Sequence, residues 1–257
     1  MVALSTNRDF RAVQKLPFCY LCGEEFRSED IINRDHIPPQ NSFAVCDRTP
    51  SLWLPTHEHC NSAHKMIDEK IGQIISLKWG YVPSDPKNRR LRFTIFNKDL
   101  TAVNNVNIDG ALSRWIRGFH AALYNQFLAE TPLRALVTPF PRTQNGSVEM
   151  DKLRPQHLKF VSTIKLNRAK RNVDRILSNN GKCIYECVWH QDDDKSTWLC
   201  IFALNVYDWK DLGETGVEPS RGCAGAYTLA ATPSNATRAV ESPIALPNLE
   251  PLDPFGR

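Results

Sequence analysis

The chain has 257 residues, of which 42% are apolar and 23% charged, and its formal net charge is +4 at neutral pH. This is the composition of a globular protein, and the length is ample for a buried core in one large domain or two small ones. No run approaches the roughly 20 apolar residues that cross a bilayer, and residues 1–10 lack the apolar stretch of a secretion signal. We therefore expect a cytoplasmic protein without a membrane partner, in which eight cysteines favour metal binding over disulfides.

Two pairs of metal-ligand residues stand out in the first quarter of the chain. Cys19 and Cys22 are separated by two residues, so both thiolates can bind one tetrahedral Zn²⁺ from a tight turn. His57 and Cys60 repeat that spacing with one nitrogen and one sulfur ligand. An isolated CxxC motif could be a redox pair, but the second pair favours a structural zinc site formed by all four residues.

Three residues between and beside these pairs carry the chemistry of a hydrolase. Asp35 offers a hard oxygen ligand, His36 titrates near neutral pH, and Asn61 adds a second oxygen. Alone, Asp35 could brace a loop and Asn61 could cap a helix. Adjacent side chains of an extended strand point to opposite faces, so Asp35 and His36 share one site only if the backbone turns there. Pro38 and Pro39 favour such a turn.

The order C-Y-L-C, D-H-I-P-P, H-E-H-C-N resembles the HNH nuclease superfamily, whose core is the ββα-metal fold. The resemblance covers residues 16–80, about a quarter of the chain. It implies that Asp35 and Asn61 bind a catalytic Mg²⁺ or Mn²⁺ and that His36 is the general base. The reaction it implies is cleavage of a phosphodiester, mainly in DNA, leaving a 5′-phosphate and a 3′-hydroxyl.

The sequence departs from the family's pattern at two positions. His57 stands where zinc-containing members usually have a cysteine, and imidazole is an ordinary zinc ligand. Ser51, before Leu52, stands where the family has a middle Asn, and this weakens the expected support of the His36 loop.

A helix is predicted from about Asn61 onward, because Ile67, Ile71, Ile74 and Ile75 recur at helical spacing. Asn61 and His64 are three residues apart and would share one helix face. His64 is therefore a candidate third ligand of the catalytic ion. Lys65 would instead project toward phosphate, and the sequence does not decide between the two.

Positive charge is concentrated in the middle of the chain, where residues 81–180 hold 17 Lys and Arg against 7 Asp and Glu, a balance of +10. A polyanion should bind there. Two basic segments are candidates for phosphate contacts, a strand beginning with Arg89, Arg90 and Arg92 and a helix face with Arg168, Lys170, Arg171 and Arg175. The alternative for both is a solvated surface.

The remaining elements follow from periodicity. An amphipathic helix is predicted over Leu112, Trp115, Ile116, Phe119, Leu123 and Phe127, followed by a loop over 132–145. A second helix is predicted over 156–177, ending at the signal 179–181. Two paired strands should follow, with Cys183, Cys187, Cys200 and Cys223 as core residues. Five prolines indicate an irregular tail from residue 232.

These observations predict an α+β protein with three parts. Residues 1–80 would form a zinc-bound ββα-metal nuclease domain, residues 81–231 a helical and antiparallel-β region that contacts nucleic acid or a partner, and residues 232–257 a tail. The predicted function is a DNA endonuclease with structural Zn²⁺ and catalytic Mg²⁺ or Mn²⁺; a homodimer and an activating protein both stay open. The alternatives are a non-catalytic zinc-containing nucleic-acid-binding protein and a zinc-stabilised adaptor.

Overall fold

The structure is a computed structural model that describes residues 1–76, 92–95, 101–104, 108–129, 135–137, 143–144, 147–148, 150–191, 197–207 and 223–240. Within these residues the protein is a mixed α+β fold, as predicted, with a six-stranded sheet and three two-stranded sheets. No helix of the described part combines the length and apolar character needed to cross a membrane.

The N-terminal unit is built around a hairpin. After β1 (Ala3–Leu4) and α1 (Asn7–Val13), strands β2 (Ile32–His36) and β3 (Trp53–His57) pair antiparallel, with Asp35 opposite Leu54. The helices α2 (Glu58–Ser62) and α3 (Lys65–Ser76) follow directly. The helix predicted to begin near Asn61 therefore begins earlier and is interrupted at residues 63–64.

The central helix α4 (Ile108–Tyr124) confirms the predicted amphipathic pattern. It follows a hairpin of β4 (Arg92–Ile95) and β5 (Thr101–Asn104). Its apolar side chains are buried in the main core, with Leu112, Trp115, Ile116, Phe119 and Leu123 each at most 7% exposed. Phe127, predicted on the same stripe, lies beyond the end of the helix.

The C-terminal elements form the large sheet and the helix that covers it. In chain order they are β6 (Ala135–Val137), β7 (Thr143–Gln144), β8 (Ser147–Val148), α5 (Met150–Ala169), β9 (Asp174–Ser178), β10 (Cys183–Gln191), β11 (Trp198–Val206) and β12 (Cys223–Leu229). The strand order is β1-β9-β10-β11-β12-β6. All pairs are antiparallel except β1 with β9, so the first strand of the chain completes one edge of the sheet.

Two apolar layers sandwich this sheet because its strands alternate their side chains between the faces. One face packs on α5 through residues such as Phe160, Ile164 and Val188. The other face packs on α4 and on the N-terminal unit in one continuous core. Cys183, Cys187, Cys200 and Cys223 are buried in this second layer, as predicted.

Two secondary-structure predictions were wrong. The helix expected over 156–177 spans Met150–Ala169, and the chain then turns through Arg171, at φ 55°, into strand β9. The signal at 179–181 is the turn of the β9–β10 hairpin, with positive φ at Asn179, Asn180 and Gly181. The loop predicted over 132–145 contains β6, which adds an edge strand to the sheet.

The predicted basic helix face is also corrected. Arg168 is on α5 but Arg175 is on β9, and both form ion pairs with the buried carboxylate of Glu186 on β10. These two charges are therefore used to neutralise a carboxylate inside the protein. Lys170 and Arg171 are exposed in the turn after α5.

The segment 232–240, predicted as irregular, has no regular element but is bonded to the sheet. The buried carboxylate of Asp174 accepts hydrogen bonds from Thr237 N and Oγ1, from Val2 N and from Tyr124 OH. Strand β1, helix α4 and this segment are thereby held at one point of β9. The division at residue 80 falls outside the described residues and stays a prediction.

Candidate metal centre and adjoining polar cluster

The first pair of metal-ligand residues lies in a tight turn. Gly23 N donates to Cys19 O at 2.7 Å, and Cys19 N donates to Glu24 O at 2.9 Å. Gly23 has φ +84°, a conformation that glycine adopts without strain. A Cβ atom there would also lie 2.7 Å from the ring of Phe127. The turn therefore requires glycine both for its backbone and for the contact with the chain beyond α4.

The four predicted zinc ligands are brought together. His57 ends β3 and Cys60 lies one turn later in α2, facing Cys19 and Cys22 of the turn. The ligand atoms of the four residues all lie within 4.8 Å of one another. In a tetrahedral zinc site, with bonds of about 2.0–2.3 Å, the ligand atoms lie roughly 3.5–4 Å apart. The cluster is thus a candidate zinc-binding site that needs only a small contraction around the ion.

The ring of His57 is oriented by a carboxylate outside the cluster. Its Nδ1 atom lies 3.4 Å from the Sγ of Cys22, and its Nε2 atom lies 3.2 Å from Oδ2 of Asp30. The same Asp30 oxygen accepts a 2.7 Å bond from Arg27 N. A zinc-binding histidine usually donates its other ring N–H to such a carboxylate. Nδ1 is therefore the nitrogen available to the metal.

The thiol groups of this cluster disfavour one another's ionisation. Burial, together with the neighbouring Cys19 and Cys22, raises the pKa of Cys60 to about 12. Burial also raises the pKa of Cys22. Three thiolates in so small a volume need a cation between them, and the Cys₃His donor set suits zinc.

Asp35 is linked to the metal centre through Tyr20. Its side chain is 4% exposed, and its Oδ2 atom accepts a 2.5 Å hydrogen bond from the hydroxyl of Tyr20. Tyr20 is fully buried and stands in sequence between Cys19 and Cys22. The turn that supplies two zinc ligands therefore also fixes one oxygen of Asp35.

Further charged groups surround this carboxylate. Asp68 of α3 forms an ion pair with Arg114 of α4 through Oδ1 and Nη2. Burial lowers the pKa of His64, as do Arg114 and Arg117, whereas the charge of Asp35 opposes them. Burial raises the pKa of Asp68, against the effect of Arg114. Two bonds and these charge effects link five side chains, which we call the Asp35 cluster: Tyr20, Asp35, His64, Asp68 and Arg114.

The other predicted catalytic residues lie on the same hairpin and on the helix that follows it. His36 is half-buried and is the last residue of β2, so the chain leaves the strand immediately after it. The backbone turn expected at Asp35 and His36 is not present, because both residues are still in the strand, and their side chains therefore start on opposite faces. Burial lowers the pKa of His36, which keeps the ring neutral at neutral pH. Asn61 is half-buried in α2, and a 3.0 Å bond from His64 N to Asn61 O keeps these two residues one turn apart.

The structure describes only part of the predicted nucleic-acid contacts. Arg89 and Arg90 lie outside the described residues, and Arg92 begins β4. Sequence reasoning missed Asp30, Tyr20, Asp68 and Arg114. The only signal for the last of these was a charged residue beside Trp115 on a strongly apolar helix.

In comparisons with known proteins, no family model, no curated protein and no solved structure matches this chain.

Proposed function

We propose that this protein is a metal-dependent endonuclease of the HNH type and that its N-terminal unit is a ββα-metal fold. The observation that carries the proposal is the buried carboxylate of Asp35, which interacts electrostatically with the half-buried His64 and is hydrogen-bonded to Tyr20, in the turn between two of the Cys₃His residues. Asp35 lies on the hairpin, and His64 lies in the turn after the helix that follows it. Zinc would stabilise the fold, since structural zinc contributes folding free energy directly.

A second, catalytic divalent ion would be held by Asp35, Asn61 and His64. Asp35, Asn61 and His64 offer oxygen and nitrogen ligands, and Tyr20 uses only one oxygen of the Asp35 carboxylate. Few protein ligands are enough, because Mg²⁺ usually keeps several of its waters. The ion would stabilise negative charge on the scissile phosphate and on the leaving oxygen.

His36 would act as the general base. Its lowered pKa leaves a ring nitrogen free to accept the proton of a water molecule as the water oxygen attacks phosphorus. The bond to the 3′ oxygen breaks, and that oxygen takes a proton from solvent. The products are a 5′-phosphate and a 3′-hydroxyl.

DNA is the proposed substrate because the resemblance implies it and because residues 81–180 carry a balance of +10. A single site cuts one strand, so cleavage of a duplex would need a homodimer or two successive events.

The test is plasmid cleavage with Mg²⁺ or Mn²⁺. We expect His36→Ala and Asp35→Ala to lose cleavage by about 10²-fold or more, since each removes a group acting in the reaction. Both variants should keep their zinc and their circular dichroism spectrum. His190→Ala, which changes a histidine on β10, is the matched control and should cut normally. Wild-type rates from His36→Ala would remove the assigned base.

A non-catalytic nucleic-acid-binding protein is the second candidate. The hydrogen bond from Tyr20 favours this second candidate, because it gives the Asp35 carboxylate a structural partner. Salt-dependent DNA binding by the wild type without any cutting would select this function. Absence of both would favour the zinc-stabilised adaptor.

A further inference from the structure

We propose that Arg114, on the central helix α4, binds the scissile phosphate of the substrate. The site would then be composite, with its metal ligands on the N-terminal unit and its anion-binding group on α4. The identity of the anion rests on the proposed nuclease function.

The burial of Arg114 is the first step of the argument. Its side chain is 4% exposed, yet its Nε and Nη1 atoms have no hydrogen-bond partner among the described residues. These two atoms carry three of the five N–H donors of a guanidinium. Buried donors are almost always satisfied, and leaving them unpaired is expensive. The unpaired donors therefore indicate a ligand with oxygen acceptors.

The second step is orientation. Nη2 of Arg114 pairs with Oδ1 of Asp68, which is itself largely buried on α3. This pair holds the guanidinium within the Asp35 cluster, where its charge acts on Tyr20 and Asp35. Asp68 is thus a positioning residue, and the arginine it holds interacts electrostatically with the carboxylate proposed to bind the catalytic ion.

The third step is charge balance. The formal charges of Asp35, Asp68 and Arg114 sum to −1. A phosphodiester, which also carries −1, would be repelled from this cluster alone. A divalent ion changes the sum to +1 and makes the site attractive. We therefore expect phosphate binding at Arg114 to require the divalent ion.

A binding measurement tests this without relying on cleavage. The Nε–H resonance of Arg114 is assigned in zinc-loaded protein as the arginine signal that disappears in Arg114→Lys. Dimethyl phosphate, a minimal phosphodiester, is then titrated in the presence and absence of Mg²⁺. We expect a saturable shift of this signal with Mg²⁺ and none without it. An unmoved signal under both conditions would overturn the inference.

Kinetics provide the second arm, with Arg114→Gln, Arg114→Lys and the exposed control Arg11→Gln. We expect Arg114→Gln to cut plasmid about 10²-fold more slowly at saturating DNA and Mn²⁺, with partial rescue in Arg114→Lys. The Mn²⁺ concentration that gives half-maximal cutting should stay equal or fall in Arg114→Gln, since this variant has lost a positive charge near the ion. If Arg114 only neutralised Asp68, Arg114→Gln would cut at the wild-type rate at saturating Mn²⁺. That result would count against the inference.

The two proposals can fail separately. A shifted Arg114 signal without any cleavage by the wild type would keep the phosphate site and remove the nuclease. Normal cleavage by Arg114→Gln, with an unmoved signal in the wild type, would keep the nuclease and remove the phosphate site. If Arg114→Gln does not fold, the titration of the wild type and the Arg114→Lys variant still decide the question.

Discussion

The side chain of His57 shows how a residue outside a metal cluster can set its properties. Asp30 accepts from Nε2 of the ring and leaves Nδ1 facing the thiol of Cys22. This fixes both the tautomer and the ring angle, so that little rearrangement is needed when zinc binds. The affinity of the site should therefore depend on Asp30 although it is not a ligand.

We predict that Asp30→Asn weakens zinc binding by about 10- to 100-fold, the usual effect of removing such a partner. Competition with a chromophoric chelator measures it. Glu29→Gln, a change at the neighbouring exposed acid, is the control and should bind zinc normally. Cys60→Ser removes a ligand and should lose more affinity than either. Equal affinities for Asp30→Asn and Glu29→Gln would contradict the assigned orientation of His57.

The zinc ligands could be predicted from sequence, whereas most of the Asp35 cluster could not. Cys19 and Cys22, like His57 and Cys60, have a spacing that reports local geometry, so two short motifs suffice. Arg114 and Asp68 are 46 residues apart, and nothing local to either predicts that they meet. The two residues meet because the apolar side chains of α4 pack into the main core.

Helix α4 packs closely against the N-terminal unit. Gly118 lies where an added Cβ would be 2.2 Å from Cδ1 of the buried Ile37 and 3.2 Å from Cε2 of Tyr20. Ile37 directly follows the Asp35-His36 pair. The absence of a side chain at position 118 therefore lets the helix approach the candidate catalytic strand.

We predict that Gly118→Ala destabilises the protein by about 1–3 kcal/mol, the usual effect of overpacking a core. Alanine would otherwise favour a helix by roughly 1 kcal/mol, so a net loss identifies the contact as the cause. Chemical denaturation measures it. In an Ile37→Val background, which lacks Cδ1, the same substitution should cost clearly less. Equal losses in both backgrounds would show that Ile37 is not the obstacle.

The elements that were predicted well have long and strong apolar patterns. Strands β10 and β11 are largely apolar and buried over nine residues each, and α4 has an apolar stripe over three turns. The error lies at β9, a five-residue strand with a short apolar run that also fits a helix. Pairing with β1 and β10 decides its conformation, and those partners are distant in sequence or follow it.

At the scale of the whole molecule, one core joins the N-terminal unit, α4 and the large sheet. His120 lies at its centre, fully buried, with Nδ1 3.0 Å from the hydroxyl of Tyr227. Burial lowers the pKa of His120 to about 3, although Gln126 opposes this. The folded protein thus contains a neutral imidazole that becomes protonated once the chain unfolds in mild acid.

We predict that this histidine makes the stability depend on pH. In the unfolded chain its pKa is about 6.5, so the unfolded state binds more protons between pH 6.5 and about 3. Its contribution is complete above pH 6.5 and should decrease by about 2 kcal/mol between pH 7 and pH 5. Urea denaturation of zinc-loaded wild type and His120→Gln at each pH measures the difference. Because the zinc ligands also titrate, only the difference between the two proteins is informative. A constant difference from pH 7 to pH 5 would contradict the buried neutral state.

Tyr20 stands between two zinc-binding cysteines and holds one oxygen of Asp35. Under the proposed function, removing zinc would release that tyrosine and leave the carboxylate without its anchor, even with abundant magnesium. The supply of zinc would then control DNA cutting, although zinc takes no part in the reaction.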